Sequence, residues 1–295
     1  MTADQFVQYL VSGVTNGSIY ALVGLGFTII YAVTSIINFA QGEFVMLGGM
    51  ISFVIFDSLG FPLAASCILA ILIGTAVGAA LYLLAVRPAR KASVVSLIII
   101  TIGASIFLRG IAGELWGVDA VRPPFFTGDK SLHFLGAYIH PQAIWIMGVT
   151  IVTTLILHLF LTQTMMGKAL RAAAINRTAA GLVGIDTRMM ALISFILAAA
   201  LGAIGGVVMA PLTLTSYNIG AMLGLKGFVA ASIGGFRSPI AAVIGGFILG
   251  IVESLAVGID WGPFTSAYKD VIALIVLLAV LLIRSGRLAA EERLG

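Results

Sequence analysis

The first 86 residues contain no lysine or arginine, and most of the charges that follow are gathered in short groups between long apolar runs. A soluble fold needs a polar skin, usually about a quarter charged residues. Here 9% of residues are charged and 60% are hydrophobic. The 295 residues cannot dress a soluble core with so little polar surface. A lipid bilayer is the solvent that fits, and in lipid a backbone must satisfy its own N–H and C=O groups, which favours helices.

Apolar stretches long enough to cross a bilayer, about 17–25 residues each, lie near 10–37, 63–86, 94–112, 142–161, 190–210, 239–258 and 270–284. Two shorter ones, near 43–57 and 219–236, are interrupted by polar residues or glycine. The expected fold class is all-α: one transmembrane domain over 1–295, a polytopic helical bundle of eight to nine spans with broken or short helices and an inverted repeat. The 35 glycines suit close helix packing in lipid.

Lysine and arginine set the orientation, since cytoplasmic loops carry them in excess. Arg87, Arg90 and Lys91 share one loop; Lys168, Arg171, Arg177 and Arg188 share the next; Arg284, Arg287 and Arg293 end the chain. These groups are expected in the cytoplasm, with the C-terminus. The loop 113–141, flanked by Trp116 and Trp145 at interface depth, is then extracytoplasmic. The net charge of +4 and the pI near 9.4 belong to this orientation signal and not to a nucleic-acid surface. No signal peptide is expected, because MTADQFVQYL has no basic n-region. A single cysteine, Cys67, excludes an intrachain disulfide, and His133, His140 and His158 have no metal-ligand spacing.

Polar interruptions inside apolar sequence are informative, because irregular backbone at membrane depth survives only inside protein or beside water. The first runs from Ile37 through Asn38, Gln41 and Glu43 to Phe44; the second runs from Pro211 through Tyr217 and Asn218 to Gly220. One lies in each half of the chain, the arrangement of an inverted-repeat transporter with a central site. On the first span Ser12, Asn16 and Tyr20 share a face. Glu253 lies inside the run IAAVIGGFILGIVESLAVG and is either a functional acid or an interhelical partner. The translocation pathway is expected to use Asn16, Tyr20, Asn38, Gln41, Glu43, Tyr217, Asn218 and Glu253. Arg109, near the outer end of its span, is expected to snorkel and is given no role.

The connection 163–188 is too polar to span and too apolar to be disordered. Asn176 or Thr178 can cap a short helix there, Gly184 suits its C′ position, and Ile185 supplies the closing hydrophobic contact. Such a helix either lies on lipid headgroups or docks into a cytoplasmic partner.

Four stretches carry a resemblance: GSIYALVGLGFTIIYAVTSIINFAQGEFVMLGG (17–49), MGKALRAAAINRTAAGLVGID (166–186), ALGAIGGVVMAP (200–211) and GFVAASIGGFRSPIAAVIGGFILGIVES (227–254). In this order they resemble the permease subunits of Liv-type, branched-chain amino-acid ABC importers. The resemblance implies an inner-membrane protein of a prokaryote, set among membrane lipid. It also implies a second related permease, two cytoplasmic ATP-binding subunits that hold the ATP-Mg, and an extracytoplasmic substrate-binding protein. The 166–186 stretch aligns with the family's coupling segment, so Arg171, Asn176, Arg177, Ala179, Ala180, Leu182 and Gly184 are the expected ATPase-coupling residues. Ile175 stands where the family often has Glu.

The residues themselves agree that energy must come from elsewhere. Gly167-Lys168 is followed by Ala169 and lacks the upstream glycine of a phosphate-binding loop. No cofactor is expected in this chain, and no enzyme, since no protease-type motif accompanies the membrane segments. The alternatives are an importer of the same architecture for urea, short amides or other small molecules, and a stand-alone proton-coupled carrier using Glu43 and Glu253.

Overall fold

The computed structural model describes residues 2–89, 92–134, 136–236, 238–258 and 269–291. Arg90, Lys91 and Arg293 of the basic groups lie outside them. The helices in chain order are α1 (Ala3–Thr34), α2 (Gln41–Asp57), α3 (Leu63–Leu81), α4 (Val94–Trp116), α5 (Pro141–Gln163), α6 (Met165–Ile175), α7 (Arg177–Leu182), α8 (Thr187–Thr213), α9 (Ile219–Gly234), α10 (Pro239–Gly258) and α11 (Lys269–Glu291). Six helices among the described residues are long and apolar enough to cross a membrane: α1, α3 with its extension to Val86, α4, α5, α8 and α10. α9 and residues 270–280 of α11 are shorter apolar helices.

The ends of these helices follow from their side chains. Thr2 and Gln5 form a reciprocal capping box at α1, Ser93 caps α4, and His140 caps α5 just before Pro141. Thr164 caps α6, Asn176 caps α7 and Asp186 caps α8. α1 stops at Ser35, whose φ of 57° turns the chain out of the helix.

α1 runs through the middle of the bundle and is buried almost without interruption from Gly13 to Ile30. It packs on α5, α8, α9 and α10, while α2 packs on α3, α8 and α9. Gly13 and Gly17 of α1 face Gly246 and Gly250 of α10, so the two backbones nearly touch. A Cβ on Gly13 would stand 2.8 Å from the Ile251 Cα, and one on Gly17 would stand 2.9 Å from the Phe247 Cα. Small residues four apart on both helices are how membrane helices approach closely enough for backbone packing.

Several local features depart from the sequence expectation. Pro211 does not break its helix: α8 continues to Thr213, and the chain leaves it at Leu214, with φ 67°. Proline lacks one N–H donor, and near a helix end in a packed bundle that loss is easily absorbed. α3 ends in a π-turn over Tyr82–Val86, with the Tyr82 hydroxyl donating to the Arg188 carbonyl at 3.1 Å. The loop 113–141 contains an antiparallel hairpin, β1 (Leu132–Phe134) with β2 (Ala137–Ile139). Gln8 of α1 holds that hairpin through Tyr138, accepting from its N–H at 2.8 Å. Trp145 donates to Thr127 at 3.2 Å on the same side of the molecule.

Candidate functional site

The two interrupted segments meet. Residues 35–40 separate α1 from α2, and residues 214–218 separate α8 from α9. Gly42, at the start of α2, lies against the backbone of Gly220 and Gly224, at the start of α9. The Glu43 carboxylate packs on Gly220. It therefore sits in the first turn of α2 and beside the first turn of α9, where helix dipoles favour a negative charge.

Glu43 is 0% exposed and paired. Its Oε1 accepts from the Ser105 hydroxyl at 2.7 Å and from Arg109 Nη2 at 3.0 Å. Both donors come from α4, one turn apart, and Arg109 Nη2 also donates to the Ser105 oxygen at 3.2 Å. Arg109 thus turns inward, which corrects the expectation that it snorkels to the interface. One further turn along α4, the Tyr217 ring lies over Gly113. Thr215 pairs with Val121 of the 113–141 loop, fixing the second break from that side.

Four buried polar atoms without a hydrogen-bond partner among the described residues lie at the first break, Asn38 Nδ2, Gln41 Oε1, Glu43 Oε2 and, facing it, Arg109 Nε, while Thr154 Oγ1 on α5 is another away from it. The remaining polar atoms of Asn38, Gln41 and Glu43 are tied, and Arg109 is held through Nη2. Asn38 Oδ1 accepts from the Ala40 N–H at 3.2 Å, and Gln41 Nε2 donates to the Ala198 carbonyl at 2.9 Å. Buried polar atoms left open usually mark a place for water, an ion or a ligand.

A second charged cluster lies along α9. The buried Lys226 ammonium donates to Glu253 Oε1 of α10 at 2.7 Å and to the Tyr20 hydroxyl of α1 at 3.3 Å, and pairs with Asp270 Oδ1 of α11 at 2.7 Å. This joins two expected pathway residues, Tyr20 and Glu253, through a lysine the sequence reading passed over. The signal was present: a lone lysine inside an apolar run is costly unless paired. Asn16 stands half-buried one turn from Tyr20 on α1. Asn218 is exposed and accepts from the Ser216 hydroxyl at 2.8 Å. The expected pathway residues thus divide between the junction at Glu43, the Lys226 cluster and the second break.

The connection 163–188 folds into α6 and α7. Asn176 Oδ1 accepts from the Ala179 N–H at 2.9 Å, so Asn176, not Thr178, is the cap. At the other end Ile185 N–H reaches the Ala180 carbonyl and Gly184 N–H the Gly181 carbonyl, with Gly184 at φ 87°, the full Schellman pattern. Asn176→Ala should therefore loosen α7 by about 1 kcal/mol, read as faster amide exchange at residues 177–182 with the rest of the bundle unchanged. Ala180 faces inward, packed with Val33, Leu170, Ala173 and Met190. That corrects its expected place on the docking face: Ala180 fixes α7 to the bundle. Arg177 and Ala179 remain exposed, as do the apolar side chains of Ile175, Leu182 and Val183. Arg171 lines a cavity of about 530 Å³ with Tyr31, Ser35, Ile175 and Phe236, where α1 ends. Asp186 accepts from the Arg188 and Met189 N–H groups, which hold its carboxyl below the ordinary carboxylate range. Its cap on α8 is complete at neutral pH and is lost as pH falls through that lowered value.

Long apolar helices around buried, paired charges and two facing helix breaks define a polytopic helical membrane protein. The family described as "Branched-chain amino acid transport system / permease component" matches residues 9–281, and the chain belongs to it. The permease LivH of the high-affinity branched-chain amino acid transport system of Escherichia coli K12 is 37% identical, the match covering 94% of this chain and 93% of that protein. The corresponding permease BraD of Pseudomonas aeruginosa is 32% identical over 95% of this chain and 94% of its own length. A probable LivH permease of Methanocaldococcus jannaschii is 30% identical over 93% of this chain and 89% of its own. The chain is a non-catalytic, multi-pass membrane component of a transport system.

Proposed function

We propose that this chain forms the translocation path of an ABC importer for branched-chain amino acids, leucine, isoleucine and valine, in the inner membrane of a prokaryote. Its partners are a second related permease, two cytoplasmic ATP-binding subunits and an extracytoplasmic binding protein. The observation that carries the reading is the junction of the two helix breaks at Glu43, where buried polar atoms stand open inside an apolar bundle. Together with the full-length similarity to branched-chain amino acid permeases, it favours an amino-acid path over urea, short amides or a stand-alone proton carrier.

The bundle is further proposed to be an inverted repeat, α1–α4 against α8–α11. The neighbours exchange accordingly. α1 meets α10 as α8 meets α3, α2 meets α8 as α9 meets α1, α2 meets α3 as α9 meets α10, and α2 meets α4 as α9 meets α11. Even the ion pairs correspond, Glu43–Arg109 joining α2 to α4 and Lys226–Asp270 joining α9 to α11. With α2 and α9 both crossing, the spans number nine, with the N-terminus outside and the C-terminus inside; with one re-entrant they number eight.

The α6–α7 element is the proposed ATPase contact. Leu182 is 84% exposed, and with Ile175 and Val183 it offers exposed apolar side chains in the connection that carries Lys168, Arg171, Arg177 and Arg188. Arg177, Ala179 and Leu182 are its contact residues, while Asn176, Ala180 and Gly184 hold its shape and its seat. The deciding measurement is uptake of radiolabelled leucine by proteoliposomes containing the whole importer, with ATP inside and binding protein outside. Uptake that needs both is expected; a complete, assembled importer that moves none of the three amino acids overturns the reading. Leu182→Glu should leave the permease inserted and as stable as wild type, yet at least about ten-fold poorer at retaining the ATPase subunits on co-purification, the effect of one lost apolar anchor. Unchanged retention would move the docking face elsewhere.

A further inference from the structure

Deepening the amino-acid reading above, and resting on it, we infer that the Glu43–Arg109 pair is the permease's own contact for a zwitterionic amino acid. Arg109 receives the carboxylate and Glu43 the ammonium group. Arg109 lies seven residues before Trp116, the end of α4, a depth of about 10 Å along the helix axis. Its guanidinium is not drawn out to the interface, because Nη2 is held by Glu43 and Ser105. Yet the Arg109 side chain is 30% exposed while Glu43 is fully enclosed. A guanidinium bared inside an apolar span cannot face hydrocarbon at tolerable cost; it faces water or a polar partner.

Two unpartnered atoms, both enclosed in this conformation, have complementary needs. Glu43 Oε2 has no donor and Arg109 Nε has no acceptor among the described residues. An amino acid brings an ammonium donor and a carboxylate acceptor a few bonds apart, and each would make a charge-assisted hydrogen bond here. The positive end of α9, at Gly220, adds to the attraction for negative charge beside Glu43. The Tyr217 ring over Gly113, one turn further along α4, supplies an aromatic wall for an aliphatic side chain.

The test uses the complete importer in proteoliposomes, in a Cys67→Ala background. Arg109→Cys should lower leucine uptake at saturating binding protein at least about ten-fold, the loss of one charge-assisted contact. A water-soluble thiosulfonate carrying a cationic group should restore most of it, and an anionic reagent of similar size should not. Equal effects of the two reagents, or no reaction of the introduced thiol, overturn the inference. In the exchange Glu43→Arg with Arg109→Glu, the pair is rebuilt while the sign facing the path is reversed. Normal assembly and melting without leucine uptake support the inference; wild-type uptake makes the pair purely structural and overturns it. If the exchanged protein does not assemble, Arg109→Lys decides, because it keeps a cation beside Glu43 but not the guanidinium fork: normal melting with uptake reduced at least about ten-fold supports the inference, and wild-type uptake overturns it. An unaltered importer that moves no amino acid fails at the earlier step and overturns the amino-acid reading itself.

Discussion

Gly42→Ala is expected to destabilise the permease by about 1–3 kcal/mol, the usual cost of overpacking, and to lower its melting temperature in detergent. The added methyl would collide with the Gly220 carbonyl and stand 2.7 Å from the Gly224 Cα. Both obstacles are backbone, so no side chain can swing aside; α2 and α9 must separate. Separation also pulls Glu43 from the start of α9, so transport should fall further than the melting temperature alone implies. Gly103→Ala on α4 is the control, since nothing lies within 4 Å of its Cβ position. There the helix loses a flexible residue and gains about 0.5–1 kcal/mol. Cys67, half-buried and the lone cysteine, makes a thiol-reactive dye a direct readout of unfolding for both variants. Equal melting of Gly42→Ala and wild type would mean that the two helix starts are not in backbone contact.

Much of the fold is legible in the sequence because lipid leaves few choices. The apolar runs at 63–86, 94–112, 142–161 and 239–258 become helices with nearly those bounds, since no other backbone is tolerated there. The cap at Asn176 and the stop at Gly184 are also legible, because each depends on a few local atoms. What escapes is set by tertiary partners. Helix continuation through Pro211 and the π-turn at Tyr82 depend on neighbours that hydropathy does not encode. α1 begins at Ala3, not near residue 10, because its first turns are capped by Thr2 and held at Gln8 by the hairpin. At the candidate site the sequence marks Glu43 as unusual but cannot say that Arg109, 66 residues away, is its partner. Ala180 is the opposite case: smallness suggests close approach, and the approach is to α6 and α8 within the chain.

Lys226→Met is expected to be the most damaging single change away from the junction. The lysine ammonium has three N–H donors, and Glu253, Asp270 and Tyr20 each lie within reach of it. Four helices, α1, α9, α10 and α11, are tied through that one group. Methionine keeps the length and the apolar stem but removes the ammonium that the fully buried Glu253 accepts from at 2.7 Å. Stranding one member of a buried ion pair costs about 3–5 kcal/mol, so purified protein should melt far below wild type or fail to accumulate in the membrane. Adding Glu253→Gln removes the buried negative charge and should recover a large part of the loss, because a neutral amide is far cheaper to bury than a carboxylate. Lys226→Arg is expected to recover less than its charge suggests, since a planar guanidinium cannot meet partners placed around a compact ammonium. The order of stability is then wild type, double variant, Lys226→Met. A Lys226→Met protein as stable as the double variant would mean that Glu253 does not depend on Lys226, and that α10 and α11 are held to α9 by packing alone.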